Sequence, residues 1–125
     1  MKEIKKPWGK EVIWAWGKYI AKTITIKSGH RMSLQYHKKK EETIYVIKGF
    51  LDLQLEQVHI SLGPGKSIHI PKKHVHRMGA KFQDVTIIEV STPYMFDVVR
   101  LEDDYGRAKN GPRRSLAASK AAQQP

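Results

Sequence analysis

Two stretches decide the fold of this 125-residue chain: Gly29-His-Arg-Met-Ser-Leu-Gln35-Tyr36-His37-Lys-Lys-Lys-Glu-Glu42-Thr-Ile-Tyr-Val-Ile-Lys-Gly49, and Gly65-Lys-Ser-Ile-His-Ile-Pro71-Lys-Lys-His-Val-His76-Arg77. Each opens on a glycine and carries β-branched residues between turn signals. Gln35 and His37 stand two apart in extended chain, so both side chains leave the same face. Glu42 opens the next strand, and His76 returns from a second hairpin. Imidazole, carboxylate and amide oxygen together suit a divalent first-row metal with positions open to water or substrate. A lone histidine is more often a packed or surface residue, so the joint spacing carries this assignment. With no cysteine in the chain, a closed thiolate site and a disulfide framework are both excluded.

Outward from these stretches the pattern is β throughout. Residues 11–16, 19–27, 31–37, 43–48, 50–57, 58–62, 67–70, 74–78 and 85–91 read as strands. Alternation is clear in Ile24-Thr25-Ile26 and in Leu51-Asp-Leu-Gln-Leu55, which suits sheets with one face packed and one wet. Turn signals fall at Ser28-Gly29, Lys48-Gly49 and Gly63-Pro64-Gly65. Short strands at this spacing predict one all-β domain, either a sandwich or a jelly roll. From residue 108 the chain turns basic and alanine-rich with a single bulky apolar residue, and a disordered tail over 108–125 is expected.

The formal charge is +11, from 23 basic and 12 acidic residues. Five of the basic residues lie beyond residue 106, which leaves 18 against 12 before it. The tail has no aromatic residue on which a base could stack, so nucleic acid is not the expected partner. Lysines cluster at 38–40 and 72–73 beside the proposed ligands, where they either focus an anionic small molecule or simply keep the turns solvated. No apolar run is long enough to span a bilayer, and the basic start runs straight into Pro7-Trp8-Gly9 without a signal peptide, so the expected compartment is the cytoplasm.

The double spacing resembles the two-part signature of the cupin superfamily. Met32-Ser-Leu-Gln35-Tyr-His37, with Glu42 following, is similar to the cupin domain of type II phosphomannose isomerases, which carry glutamine where most cupins have histidine. Lys6-Pro7-Trp8-Gly9, the stretch from Ile70-Pro71 to His76-Arg77, and Val99-Arg100-Leu-Glu-Asp-Asp-Tyr-Gly106-Arg107 point the same way. The resemblance implies a double-stranded β-helix over residues 1–107 and a homodimer. It also implies a metal held by Gln35, His37, Glu42 and His76, with zinc as first choice before manganese, iron, nickel and cobalt. The chain departs from the family at Lys40, where arginine is common, at Thr43-Ile44, where His-Trp is common, and at Lys73, where cupins usually have glycine.

The implied reaction interconverts mannose 6-phosphate and fructose 6-phosphate by moving a proton between C1 and C2. It needs a polarised carbonyl, a base for the carbon proton and a clamp for the phosphate. Glu89, flanked by Ile88 and Val90, is one candidate base; it is alternatively a structural carboxylate paired to Arg100 or Arg77. His74 is a second candidate, or a surface residue. Arg77 and Arg100 offer forked phosphate donors, with Lys40 beside them. Trp8, Trp14 and Trp16 are expected as core and dimer contacts before a sugar-stacking platform, and Trp14 and Trp16, two apart on one strand, are expected to share a face, from which one could stack on a sugar ring. The competing expectation is a non-catalytic metal-binding cupin that holds a sugar phosphate or sugar nucleotide.

Overall fold

The computed structural model describes residues 1–108, and among them there is no helix. Twelve strands follow in order: β1 (Lys2–Lys6), β2 (Gly9–Trp16), β3 (Ile20–Ile26), β4 (His30–Arg31), β5 (Leu34–His37), β6 (Glu42–Lys48), β7 (Leu51–Leu55), β8 (Val58–Leu62), β9 (Ser67–Ile70), β10 (His76–Ala80), β11 (Val85–Ser91) and β12 (Val98–Glu102). One antiparallel sheet runs β1-β2-β3-β11-β6-β9; the other runs β12-β5-β10-β7-β8, with β4 also paired to β10. From β5 onward the chain crosses repeatedly between the two sheets, which is the double-stranded β-helix. Beyond Ala108, the segment expected to be a disordered tail lies outside the described residues.

The core fills the space between the sheets. Ile24, Ile26, Ile44, Val46 and Ile87 of the first sheet are fully buried against Leu51, Leu53 and Met78 of the second. Each such side chain contributes roughly 1.5–3 kcal/mol by leaving water. Trp8 closes the packing at 1% exposure. Its neighbour Gly9 is required, because a Cβ there would overlap the Thr25 carbonyl of β3. Gly49 turns at φ 83°, and a Cβ on it would run into the Asp84 carbonyl.

Two strands went unread in the sequence. β1 is rich in lysine and looks like solvated coil, yet it pairs with β2 from Lys2↔Ile13 to Lys6↔Gly9. It is an edge strand, where lysine deters pairing with another chain. β12 pairs with β5 and forms the edge of the other sheet.

Two irregularities set which side chains point inward. From Arg31 to Gln35 the chain advances four residues while β10 retreats three, from Gly79 to His76. The expected continuous strand over 31–37 is therefore broken at Met32-Ser33. The extra residue resets the alternation, so Gln35 and His37 face the interior although Arg31, of the same parity, pairs with Asp104 outside it. In β2 a register shift lies between Ile13 and Ala15. Trp14 faces outward and donates to Thr23 Oγ1, whereas Trp16 turns into the interior cleft. The expectation that the two tryptophans share a face is thus corrected by one bulged residue.

Candidate metal centre

At one end of the barrel the buried face changes from apolar to charged. Glu42 shares an inward face with Ile44 and Val46 of β6; Glu89 is in phase with Val85 and Ile87 of β11; Lys22 is in phase with Ile24 and Ile26 of β3. Gln35, His37, Glu42 and His76 are all less than a tenth exposed. The ligand atoms of His37, Glu42 and His76 lie within 4.8 Å of one another, and the two imidazole rings are 5.7 Å apart.

Outer hydrogen bonds fix both imidazoles for this purpose. His37 Nδ1 lies 2.9 Å from Asp97 Oδ1, and Asp97 is held in turn by the backbone N–H groups of Lys39 and Lys40. His76 Nδ1 donates to the His74 carbonyl at 2.9 Å. Each ring therefore turns Nε2 toward the centre, the arrangement usual for metal-bound histidine. Glu42 Oε2 and His76 Nε2 are buried 3.2 Å apart without a hydrogen-bond partner. Orphaned buried atoms of this kind require a reason. Two imidazole nitrogens and a carboxylate satisfy the donor requirements of a divalent first-row ion.

Gln35 adjoins this group without presenting its oxygen to it. Ser33 Oγ donates to Gln35 Oε1 at 2.6 Å, and Gln35 Nε2 donates to His37 Nε2 at 3.3 Å. A half-turn of the amide would exchange the two ends, with the Ser33 hydroxyl then accepting.

A ladder of alternating charge leads away from the centre. Lys40 Nζ lies 3.4 Å from Glu42 and 2.8 Å from Glu89, and Lys22 Nζ lies 3.8 Å from Glu89 and 3.0 Å from Glu11. Burial works against charge on Lys40, but the Glu89 and Glu42 carboxylates outweigh it and raise its pKa. Burial likewise opposes the Glu42 carboxylate, yet Lys40 and the imidazoles hold it well below the usual range. Glu89 is pushed up, by burial first and then by the Glu42 charge. His37 is pulled down by burial and by Lys40, which keeps it neutral as a ligand must be.

The structure does not bring all the anticipated residues here. Arg77 follows the inward His76 by one position, so strand alternation turns it to the opposite face. There it donates to the carbonyls of Met32 and Glu102 and takes no part in the cleft. His74 is exposed, and its ring meets the Lys72 carbonyl. Glu89 pairs with Lys40 and Lys22 in place of the expected Arg100 or Arg77. Lys40 is an interior group, 5% exposed, unlike Lys38 and Lys39 on the rim. The acids of the last turn pair with Arg31 and Arg107.

Arg100 does enter the cleft. It lies opposite Gln35 in the β12–β5 pairing, and its Nε is buried without a partner. The cleft, of about 400 Å³, runs between the β1 and β12 edges and includes Gln35, His37, Glu42 and Glu89 in its lining. Lys6 and Arg107 share its cationic end with Arg100. Burial lowers the Lys6 pKa, and the charges of Arg100 and Arg107 lower it further. Lys22 and Glu11 were not singled out in the sequence, and Lys6 only as the first residue of the Lys6–Gly9 string. Lys22 had a usable signal, a lysine on the apolar parity of β3.

Fold and site define a cupin whose His–Glu–His group can hold a metal ion. The chain belongs to the family described as mannose-6-phosphate isomerase C-terminal, whose model matches residues 1–103. It is 33% identical over 123 residues to the alginate biosynthesis protein AlgA of Pseudomonas aeruginosa, covering 94% of this chain and 26% of that protein. It is 36% identical over 111 residues to the mannose-1-phosphate guanylyltransferase ManC of Salmonella typhimurium, covering 85% and 23%. The chain thus spans about a quarter of the length of these relatives, which are proteins of carbohydrate metabolism. KdgF from a Halomonas species shares the fold at a TM-score of 0.70 and 21% identity, over 78% of this chain and 90% of its own. An RmlC-like cupin from Shewanella frigidimarina does so at 0.70 and 18%, over 77% and 86%. No helix among the described residues is long and apolar enough to cross a membrane.

Proposed function

We propose that this domain binds a hexose phosphate over a divalent metal, zinc being the first choice, and interconverts mannose 6-phosphate and fructose 6-phosphate. The observation that carries the reading is the buried His37–Glu42–His76 group, with two orphaned atoms, opening into a cleft that also holds the free Arg100 Nε. When bound, the ion supplies Lewis acidity toward a carbonyl and its neighbouring hydroxyl. Glu89 is the carboxylate available to carry a proton between C1 and C2, and burial raises its proton affinity toward that task. Lys40, which keeps its proton, donates a hydrogen bond to oxygen charge that develops in the enediol. Arg100 and Lys6 receive the phosphate at the cationic end, and the barrel wall keeps water from the enediol.

One observation favours a second reading, a sugar-phosphate-binding cupin without turnover. Glu89 is flanked by two lysines, at 2.8 and 3.8 Å, which restrain a base. A coupled assay for fructose 6-phosphate formation, on protein stripped and reloaded with zinc, manganese, cobalt or nickel, separates the two. Isomerisation predicts metal-dependent turnover that Glu89→Gln abolishes while metal and sugar phosphate still bind. Binding of mannose 6-phosphate without turnover under any ion supports the binding module and contradicts the isomerase.

A further inference from the structure

The cleft is wider than the metal centre and its cationic end require: Trp16, which lines it, stands three strands across the sheet from Glu42, roughly 14 Å at ~4.8 Å per strand. Along β2 from Gly9 to Trp16 the chain rises about 20 Å, six steps at ~3.3 Å per residue once the bulged residue is left out. Lys6 pairs opposite Gly9 at one end of this path, and Trp16 stands at the other. Trp16 lies in one cross-strand row with Ile20, Ser91 and Glu42, so its end of the cleft is the metal end. It would point to the outer face but for the bulge at Ile13–Ala15, which turns it inward. Bulges that re-aim a side chain concentrate beside binding sites. There Trp16 meets Phe96 from the β11–β12 loop, with ring centroids 6.3 Å apart and planes at 65°. Both rings line the cleft, yet Trp16 is 56% and Phe96 85% exposed. Two large aromatic faces left open to water at the mouth of a polar cleft are unused stacking surface. Lys2 of β1, opposite Ile13, also lines the cleft.

The geometry points to a second ring-binding subsite: Trp16 and Phe96 hold a second sugar ring, joined to a phosphorylated hexose that sits among His37, Glu42 and His76. A hexose phosphate seated over His37 and Glu42 with its phosphate toward Arg100 does not cross the sheet to Trp16 and leaves the aromatic pair bare. A ligand with a second ring covers it. The inference rests on the sugar-phosphate reading of the metal centre and adds the class of ligand that fills the cleft.

The test is calorimetric titration of the full chain, metal-loaded, with mannose 6-phosphate, trehalose 6-phosphate and uridine diphosphate glucose. Wild-type protein, Trp16→Ala, Phe96→Ala and Trp16→Phe are compared, with equal melting temperatures as the folding control. Covering one aromatic face with a sugar ring removes apolar surface from water and changes affinity by roughly tenfold. Wild type is expected to favour trehalose 6-phosphate over mannose 6-phosphate by about that factor. The ratio should fall toward unity in both alanine variants and return in Trp16→Phe. Preference for uridine diphosphate glucose, whose base lies on the far side of its phosphates and so beyond the cationic end, overturns the subsite. A wild type with no preference, or a preference unchanged in both alanine variants, overturns the subsite. Trehalose 6-phosphate that binds through the aromatic pair while mannose 6-phosphate fails to bind keeps the subsite and removes the isomerase reading.

Discussion

Glu42 Oε2 on one sheet and His76 Nε2 on the other face each other 3.2 Å apart, buried and without hydrogen-bond partners. An ion between them would join the two sheets, so metal binding should be readable as stability. Saturation to about a hundred times the dissociation constant adds about 2.7 kcal/mol, a rise of roughly 10 °C or more in Tm for a domain this size. Thermal melts with added zinc check this, and His76→Ala should show no rise.

Lys22 lies between Glu11 and Glu89 with its side chain 7% exposed. Removing one member of a buried pair leaves uncompensated charge, at a cost of about 3–5 kcal/mol. Lys22→Met should therefore lower stability in urea by that amount. Adding Glu11→Leu should recover a large part of it, because the orphaned carboxylate goes too.

Lys73 adopts φ 66°, the left-handed region, and its N–H donates to the His37 carbonyl at 2.7 Å. The turn that seats a ligand strand is thus built on an unfavourable backbone conformation. Lys73→Gly relieves it and should raise stability by about 1 kcal/mol, since the left-handed penalty exceeds the added chain entropy of glycine. Equilibrium denaturation measures the difference; a loss of stability would mean that the lysine side chain has an unseen role.

Asp103 is buried, and although burial opposes its charge, the Arg107 side chain and backbone N–H lower its pKa. A depressed carboxylate contributes stability in full above its unfolded value near 4, and loses it as pH falls through the folded value. Melts from pH 6 down to pH 2 should show an acid limb that is shallower in Asp103→Asn. That variant should also be less stable at neutral pH.

Alternation and turn chemistry, local properties of the chain, were enough to predict an all-β sandwich or jelly roll, and the resemblance of the two-part spacing to cupins selected the double-stranded β-helix. What lay hidden depended on parity across irregularities. One extra residue near Met32-Ser33 decides that Gln35 and His37 face inward, and one bulge at Trp14 decides that Trp16 does. The pairing of Glu89 with lysines was likewise invisible, since β11 meets β3 and β6 only in the folded sheet. Arg77 looked functional because it follows His76; in a strand, adjacency in sequence means opposite faces.

The most direct measurement is metal stoichiometry. Elemental analysis of stripped protein reloaded with zinc and exchanged into metal-free buffer should return one ion per chain for wild type, and none for folded His37→Ala or His76→Ala. Folded wild type that retains no ion, or full retention after both histidines are replaced, would contradict the assignment of this buried group as a metal centre.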